Sequence, residues 1–266
     1  MNTRIDINCD LGESFGAWQM GADSAVMPWI TSANIACGFH AGDPDTMRRT
    51  VALAVDAGVA IGAHVALPDL AGFGRREMAV STDEAHALTL YQIGALAGFA
   101  RAAGTRLGHV KPHGALYAMA ARDPALAAAI AAAVREFDAE LILVGLAGSA
   151  LTRAGREAGL AVAHEAFADR AYEADGSLVP RREAKAVIED PDAMVAQAIA
   201  ITTRGEVAVR GGGTRALHAD TLCLHGDRPG AAHFARRLRE ALEAAGVEIR
   251  SLTGGTESDT TQRESR

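Results

Sequence analysis

Acidic, basic and imidazole groups recur in this chain at the ends of apolar runs: DINCDLGE (6–13), NIACGFHAGD (34–43), AIGAHVALPD (60–69), LGHVKPHG (107–114), AVAHEAFADR (161–170) and LCLHGD (222–227). Each reads as a buried strand that stops in a turn carrying His, Asp, Glu or Lys. Neutral imidazoles beside carboxylates support two chemistries. They bind a divalent metal that activates water, or they divide into general acid and general base. Spacing alone does not choose, because compact signatures such as H-E-x-x-H are absent.

The individual segments sharpen this. Asp6, Asn8 and Asp10 alternate, and a period of two puts them on one face of a strand, with Glu13 just beyond. Asn34 and His40 flank the second run, and Asp43 is placed to cap the helix that follows. His64 ends the third run. Asp69 and the Arg75-Arg76 pair follow it in a loop suited to gripping an anion. Lys111 and His113 flank Pro112, which fixes their turn. Glu165, Asp169 and Arg170 come next, and His225 with Asp227 closes the series. Any one of these histidines has a purely structural explanation. Six clusters at the same point of a repeating unit indicate one shared site.

Such groups converge if the runs are parallel strands, whose carboxyl ends share one face. Strand-like runs fall at about 4–9, 33–38, 59–65, 107–111, 140–145, 160–165 and 221–225, and helical periodicity appears between them, several stretches being Ala-rich. Asp43-Pro44, Ser81 to Glu84 and Asp190-Pro191 are helix starts, while Gly58, Gly104, Gly159 and Gly246 are helix stops. Seven alternating units in one chain predict a single α/β domain, a seven-stranded β/α barrel over 1–253. An open doubly wound sheet is the alternative. The GGG at 211–213 predicts a hairpin within 206–221, and the apolar-free tail 254–266 is expected to be disordered.

Composition narrows the function. A formal charge of −7 with no basic tract gives no footprint for nucleic acid. No apolar stretch reaches the roughly 18 residues that span a bilayer, and the opening run is strand-like rather than signal-like, so no membrane association and a cytoplasmic location are expected. Cys9, Cys37 and Cys223 sit in strand patterns and read as inert core thiols. Phosphate loops are absent.

The ordered runs DINCDLGESFGAW, ANIACGFHAGDP, GAH…PDLAGFGRR, KPHGALY, E-x-FADR-x-Y, G-x-L-x-x-R and LCLHGD closely resemble the LamB/YcsF family, over about residues 4–250. The resemblance implies a distorted seven-stranded β/α barrel similar to the glycoside hydrolase and deacetylase superfamily. It also implies hydrolysis of the lactam 5-oxo-L-proline to L-glutamate, coupled to conversion of ATP to ADP and phosphate. The ATP would be bound with two further subunits, B and C. Matching family positions are Asp10, Glu13, Asn34, His40, His64, Lys111, His113, Glu165, Asp169, Arg170, His225 and Asp227. On this reading Asp10, His64, Lys111 and His113 are catalytic. Asp10 with His64 or His113 manages the water or its proton, and Lys111 stabilises developing negative charge. Glu13, Asn34, His40, Glu165, Asp169, His225 and Asp227 bind substrate, and Arg170 or Arg76 holds its carboxylate. A divalent metal is compatible with this set, its ligands undesignated. The chain departs from the family pattern at Val65-Ala66-Leu67 and at Ala118, both expected to border the pocket. Two alternatives stand beside this reading: a stand-alone metal-dependent deacetylase or amidohydrolase, and a non-catalytic lactam-binding subunit.

Overall fold

Seven parallel strands close on themselves in the computed structural model, which describes residues 4–226 and 230–253, the side chain of His225 excepted. The described residues form ten strands in all, β1 (Arg4–Leu11), β2 (Ser32–Ala36), β3 (Ala60–Val65), β4 (His109–Pro112), β5 (Ile142–Leu146), β6 (Ala161–Phe167), β7 (Glu206–Ala208), β8 (Thr214–Ala216), β9 (Thr221–His225) and β10 (Glu248–Ile249). The barrel order is β1-β2-β3-β4-β5-β6-β9, sealed by parallel pairing of β9 with β1. Around it lie α1 (Asp23–Val26), α2 (Pro44–Ala57), α3 (Thr82–Ala102), α4 (Gly114–Arg122), α5 (Pro124–Phe137), α6 (Ala150–Glu157), α7 (Pro191–Ile199) and α8 (Ala231–Ala244). The expected seven-stranded β/α barrel is therefore the fold, and the open sheet is not.

Strand alternation sorts the core into two parts. Ile5, Ile7, Cys9 and Leu11 of β1 are buried on one side, and Asp6, Asn8 and Asp10 are buried on the other. The second set faces the barrel interior, where apolar layers would ordinarily stack. A polar interior is tolerable only if its groups are hydrogen-bonded. Asp6 meets this condition: it accepts from Ser32 Oγ at 2.6 Å, from Thr31 Oγ1 at 2.7 Å, and from Thr221 Oγ1. Gly62 makes room for another member, since a Cβ there would lie 2.0 Å from His109 Nε2.

The hairpin forms as expected. β7 and β8 pair antiparallel, and Gly211, Gly212 and Gly213 all take positive φ in the turn. Helix α4 was not expected, because its N-cap is His113, whose ring makes no cap and turns inward. Without a capping side chain the KPHG turn carries no helix-start signal. The expectation for 254–266 lies outside the described residues.

Asp43 caps α2 as expected, accepting from the backbone N–H of Asp45 and Thr46, both at 3.0 Å. Its second oxygen accepts from Gly16 N at 2.8 Å and so ties the β1 loop to the helix. The Gly16 N–H, and then the N–H groups and hydroxyl of the first helical turn, hold the carboxyl below its ordinary pKa. Asp43→Ala is expected to cost about 0.5–2 kcal/mol in urea unfolding at neutral pH. A group with a depressed folded pKa stabilises above its unfolded value, near 3.9, and loses that contribution as pH falls. The gap between variant and parent is therefore expected to narrow in acid.

Candidate active site

Register places the polar strand ends side by side. Asp10 of β1 pairs with Asn34 of β2, Ala36 with His64 of β3, and His64 with Lys111 of β4. Loops after β1, β2 and β4 add Glu13, His40 and His113, and all of these side chains are buried.

Lys111 is the electrostatic hub. Its ammonium donates to Asp10 Oδ1 at 2.9 Å, Asn8 Oδ1 at 3.1 Å and Cys223 Sγ at 3.1 Å, and stands 2.8 Å from Glu165 Oε1. Burial opposes the charge, but Asp10, Cys223 and Glu165 outweigh it and hold the lysine protonated, its pKa well above the ordinary value. Asn34 extends the network, donating to Asn8 Oδ1 at 2.7 Å and Asp10 Oδ1 at 2.9 Å. Its own carbonyl is 2.8 Å from His109 Nε2. Burial first, and then Lys111, push His109 down to about 3, so it stays a neutral donor.

The other three histidines and Glu13 make a second cluster. One ligand atom from each of Glu13, His40, His64 and His113 lies within 4.8 Å of all the others. His64 Nδ1 is 2.9 Å from the Lys111 carbonyl, and His113 Nε2 is 2.9 Å from the Phe73 carbonyl. A carbonyl only accepts, so in neutral rings these nitrogens carry the hydrogens. The remaining lone pairs, on His64 Nε2 and His113 Nδ1, then face each other at 2.9 Å. Asp10 Oδ2 stands 3.3 Å from that same His64 nitrogen, and Glu13 Oε1 is 3.1 Å from His40 Nε2 and 3.6 Å from His113 Nδ1. Acceptors converging on one point call for a cation among them. Burial, with the neighbouring histidines adding to it, pushes His40 and His113 well below the ordinary range, which keeps both rings available as ligands. These four residues fit a divalent metal with Glu13, His40, His64 and His113 as its ligands.

A strained loop holds this arrangement. Phe73 has a φ of 54°, in the left-handed region that bulky residues avoid, and this aims its carbonyl at His113. Its ring packs edge-on against His40 and His113 at 5.5 and 5.3 Å. A Cβ on Gly74 would sit 2.8 Å from the His113 ring, so the loop tolerates only glycine there. Asp69 clamps the loop by accepting from Gly72 N at 2.9 Å and from the Arg76 guanidinium.

The expected site residues divide accordingly. Asp10, Glu13, Asn34, His40, His64, Lys111, His113 and Glu165 come together. Arg76 does not join them: its side chain is exposed and engaged by Asp69. Arg170 donates to the Val179 carbonyl at 2.6 Å and the Ala186 carbonyl at 3.3 Å, which closes the loop after β6. Asp169 lines a separate cavity of about 320 Å³ with Glu189, Met194, Phe234 and Arg237. The side chain of His225 and the whole of Asp227 lie outside the described residues. The departures from the family pattern differ in setting. Val65, Ala66 and Leu67 are core residues with no exposure, and Ala118 is exposed on α4. Three contributors escaped the sequence reading. Alternation with Lys111 marks His109 as inward-facing, and the same rule places Cys223 beside Thr221. Nothing in the sequence marks Phe73.

The sequence profile of the LamB/YcsF family matches residues 5–257. The A subunit of the 5-oxoprolinase of Methylococcus capsulatus is 63% identical over 254 residues, covering 96% of this chain and 98% of that one. Its counterpart, the A subunit of the 5-oxoprolinase of Bacillus subtilis, is 55% identical over 250 residues, covering 94% and 97%. The crystal structure of the lactam utilization protein from Thermus thermophilus superimposes with a TM-score of 0.88 at 50% identity, covering 93% and 99%. Among the described residues no helix is long and apolar enough to cross a membrane. Matched along nearly its whole length in sequence and in fold, the chain belongs to the LamB/YcsF family.

Proposed function

We propose that this chain is the hydrolytic subunit of a cytoplasmic, ATP-dependent 5-oxoprolinase, opening the cyclic amide of 5-oxo-L-proline to L-glutamate while ATP is converted to ADP and phosphate. The observation that carries the reading is the junction of the Lys111–Asp10 pair with the Glu13, His40, His64 and His113 cluster inside one barrel mouth. The names of the relatives support the substrate. The lack of any phosphate loop favours ATP bound with two partner subunits, B and C.

A divalent metal, when bound, supplies Lewis acidity and a water acidic enough to ionise near neutral pH. The chain's own groups do the rest. Asp10 offers Oδ2 toward the His64 nitrogen and takes the proton of the attacking water, while Asn34 and Lys111 hold its other oxygen. The Lys111 ammonium offsets negative charge that develops on the carbonyl oxygen. His64 and His113 are oriented by the Lys111 and Phe73 carbonyls, which direct the other nitrogen of each ring into the cluster. Arg75, whose charge reaches His40 and whose guanidinium lies 4.9 Å over the Phe73 ring, is better placed than Arg76 or Arg170 to meet a substrate carboxylate.

The cluster also favours a second reading, a metal-dependent amidohydrolase acting without ATP. Glutamate release from 5-oxoproline and ATP separates the two, measured for this chain alone and with its two partners. Turnover only in the mixture is the expected result. No turnover in either, with stoichiometric zinc or manganese in the folded protein, would favour the second reading.

A further inference from the structure

Helix α3 has a face that the barrel does not use. The helix buries Ala85, Thr89, Gln92, Ile93, Leu96 and Ala100. Its outward stripe runs Glu84, Ala87, Tyr91, Gly94, Gly98 and Arg101, and all six are exposed. No Asp, Glu, Lys or Arg occurs between Glu84 and Arg101. A solvated helix face ordinarily carries charge along its length.

Among the described residues Tyr91 is the most exposed large hydrophobic side chain, at 64%. One face of its ring stacks on Phe39 at 5.5 Å, so this knob is held in place before any partner arrives. One turn on, Gly94 and Gly98 floor a surface cavity of about 380 Å³, walled by Phe137 and Leu141. Glycine inside a helix is destabilising relative to alanine. A Cβ at either position would meet nothing within 4 Å, so the packing of this chain does not require glycine there. The two glycines open a hole that only a group from outside the chain can fill.

The spacing says what that group belongs to. Successive members of the stripe are three, four, three, four and three residues apart, the same pattern from either end. Two copies of α3 laid antiparallel, with a two-fold axis between Tyr91 and Gly94, set Tyr91 of one copy over Gly94 of the other. The same axis sets Ala87 against Gly98 and Glu84 against Arg101. Every pair is then complementary: knob to hole, small to small, acid to base. The Glu84 carboxylate is held at its end of the stripe by the capping box, where it accepts from Ser81 N at 2.7 Å. A parallel pairing would instead oppose Glu84 to Glu84 and Arg101 to Arg101. Self-complementarity of this kind is what an isologous contact demands, and a partner of different sequence has no need of it.

We propose that α3 is the contact of a two-fold dimer of this chain, with Tyr91 of each copy seated over Gly94 and Gly98 of the other. The inference is independent of the lactam-opening reading. A contact made by one pair of helices lies at the small end of specific interfaces, below about 1,200 Å², so the dimer is expected to dissociate in the micromolar range.

The test is sedimentation velocity of the full-length chain over concentrations spanning that range, with thermal unfolding of each variant alongside. The parent is expected to approach twice the chain mass. Gly98→Leu fills the hole at a position where the chain itself has room. It is expected to raise the dissociation constant at least about tenfold, with a melting temperature equal to the parent's or higher. Tyr91→Ala removes the knob, with a loss of similar size. Arg101→Glu sets acid against acid and is expected to weaken the dimer most at low salt. Dimer mass in the parent, lost in both Gly98→Leu and Tyr91→Ala while they remain folded, bears the proposal out. A parent that stays monomeric throughout overturns it. So does a dimer that both variants leave untouched, because its contact then lies elsewhere. If the parent is monomeric and these variants instead abolish capture by the partner subunits, the face belongs to that partner and the homodimer is wrong.

Discussion

His113→Ala is expected to lower turnover of the assembled enzyme by about 10²- to 10⁴-fold, the range lost with a positioned acid–base or ligand group. The ring has three separate jobs. Its Nδ1 faces His64 Nε2 at 2.9 Å, its Nε2 anchors the strained Phe73 carbonyl, and its face stacks on His40 at 3.9 Å. Losing the first job removes one of the four residues that fit a divalent metal, so divalent-metal affinity is expected to fall by well over tenfold, since even outer partners of such ligands cost about 10- to 100-fold. Losing the second leaves the part-buried Phe73 carbonyl without its ring partner, at up to about 1–3 kcal/mol. Turnover, metal content after dialysis and urea unfolding are to be measured on one preparation. Activity within threefold of the parent would refute the site as drawn. A stability loss with metal content unchanged would reduce His113 to a loop anchor.

The second large effect is on folding. Lys111→Met is expected to destabilise the protein by about 3–5 kcal/mol, the cost of breaking a buried ion pair from one side. Asp10 and Glu165 would then share the barrel interior with no counter-charge, and Asn8 and Cys223 would each lose a donor. Methionine fills nearly the same volume, so a cavity term adds little. Pairing it with Glu165→Gln removes one of the stranded charges and is expected to recover a sizeable part of the loss, which a double-mutant cycle measures as coupling. A single-variant loss under about 1 kcal/mol in urea unfolding would mean that the interior is open to water and that the pair is not buried in solution.

Both predictions concern side chains already evident as candidates in the sequence, and the reason is periodicity. An apolar run ending in a polar turn, repeated through the chain, determines a β/α barrel and gathers the polar strand ends on one face. Alternation by two identified Asp6, Asn8 and Asp10 as one inward row, and the same rule, applied to HVKPH, yields His109, Lys111 and His113. Composition offered no footprint for nucleic acid, and the ordered motifs were enough to place the family.

What alternation does not contain is which inward rows become neighbours. Asn8 finds Thr221 across 213 residues, and Lys111 finds Asn8 across 103, because barrel closure and strand register bring them together. Those contacts turned Cys223 from an inert thiol into an acceptor for Lys111, and gave the His109 ring the space above Gly62. The arginines were misjudged for a related reason. A guanidinium pairs with whatever acceptor its own loop brings near, and the loops brought Asp69 to Arg76 and the Val179 and Ala186 carbonyls to Arg170. Which four residues could hold a metal is also decided by the tertiary structure. Residue types do not say which nitrogen of a histidine carries its proton. Only the folded positions of the Lys111 and Phe73 carbonyls decide that two lone pairs point at the same spot.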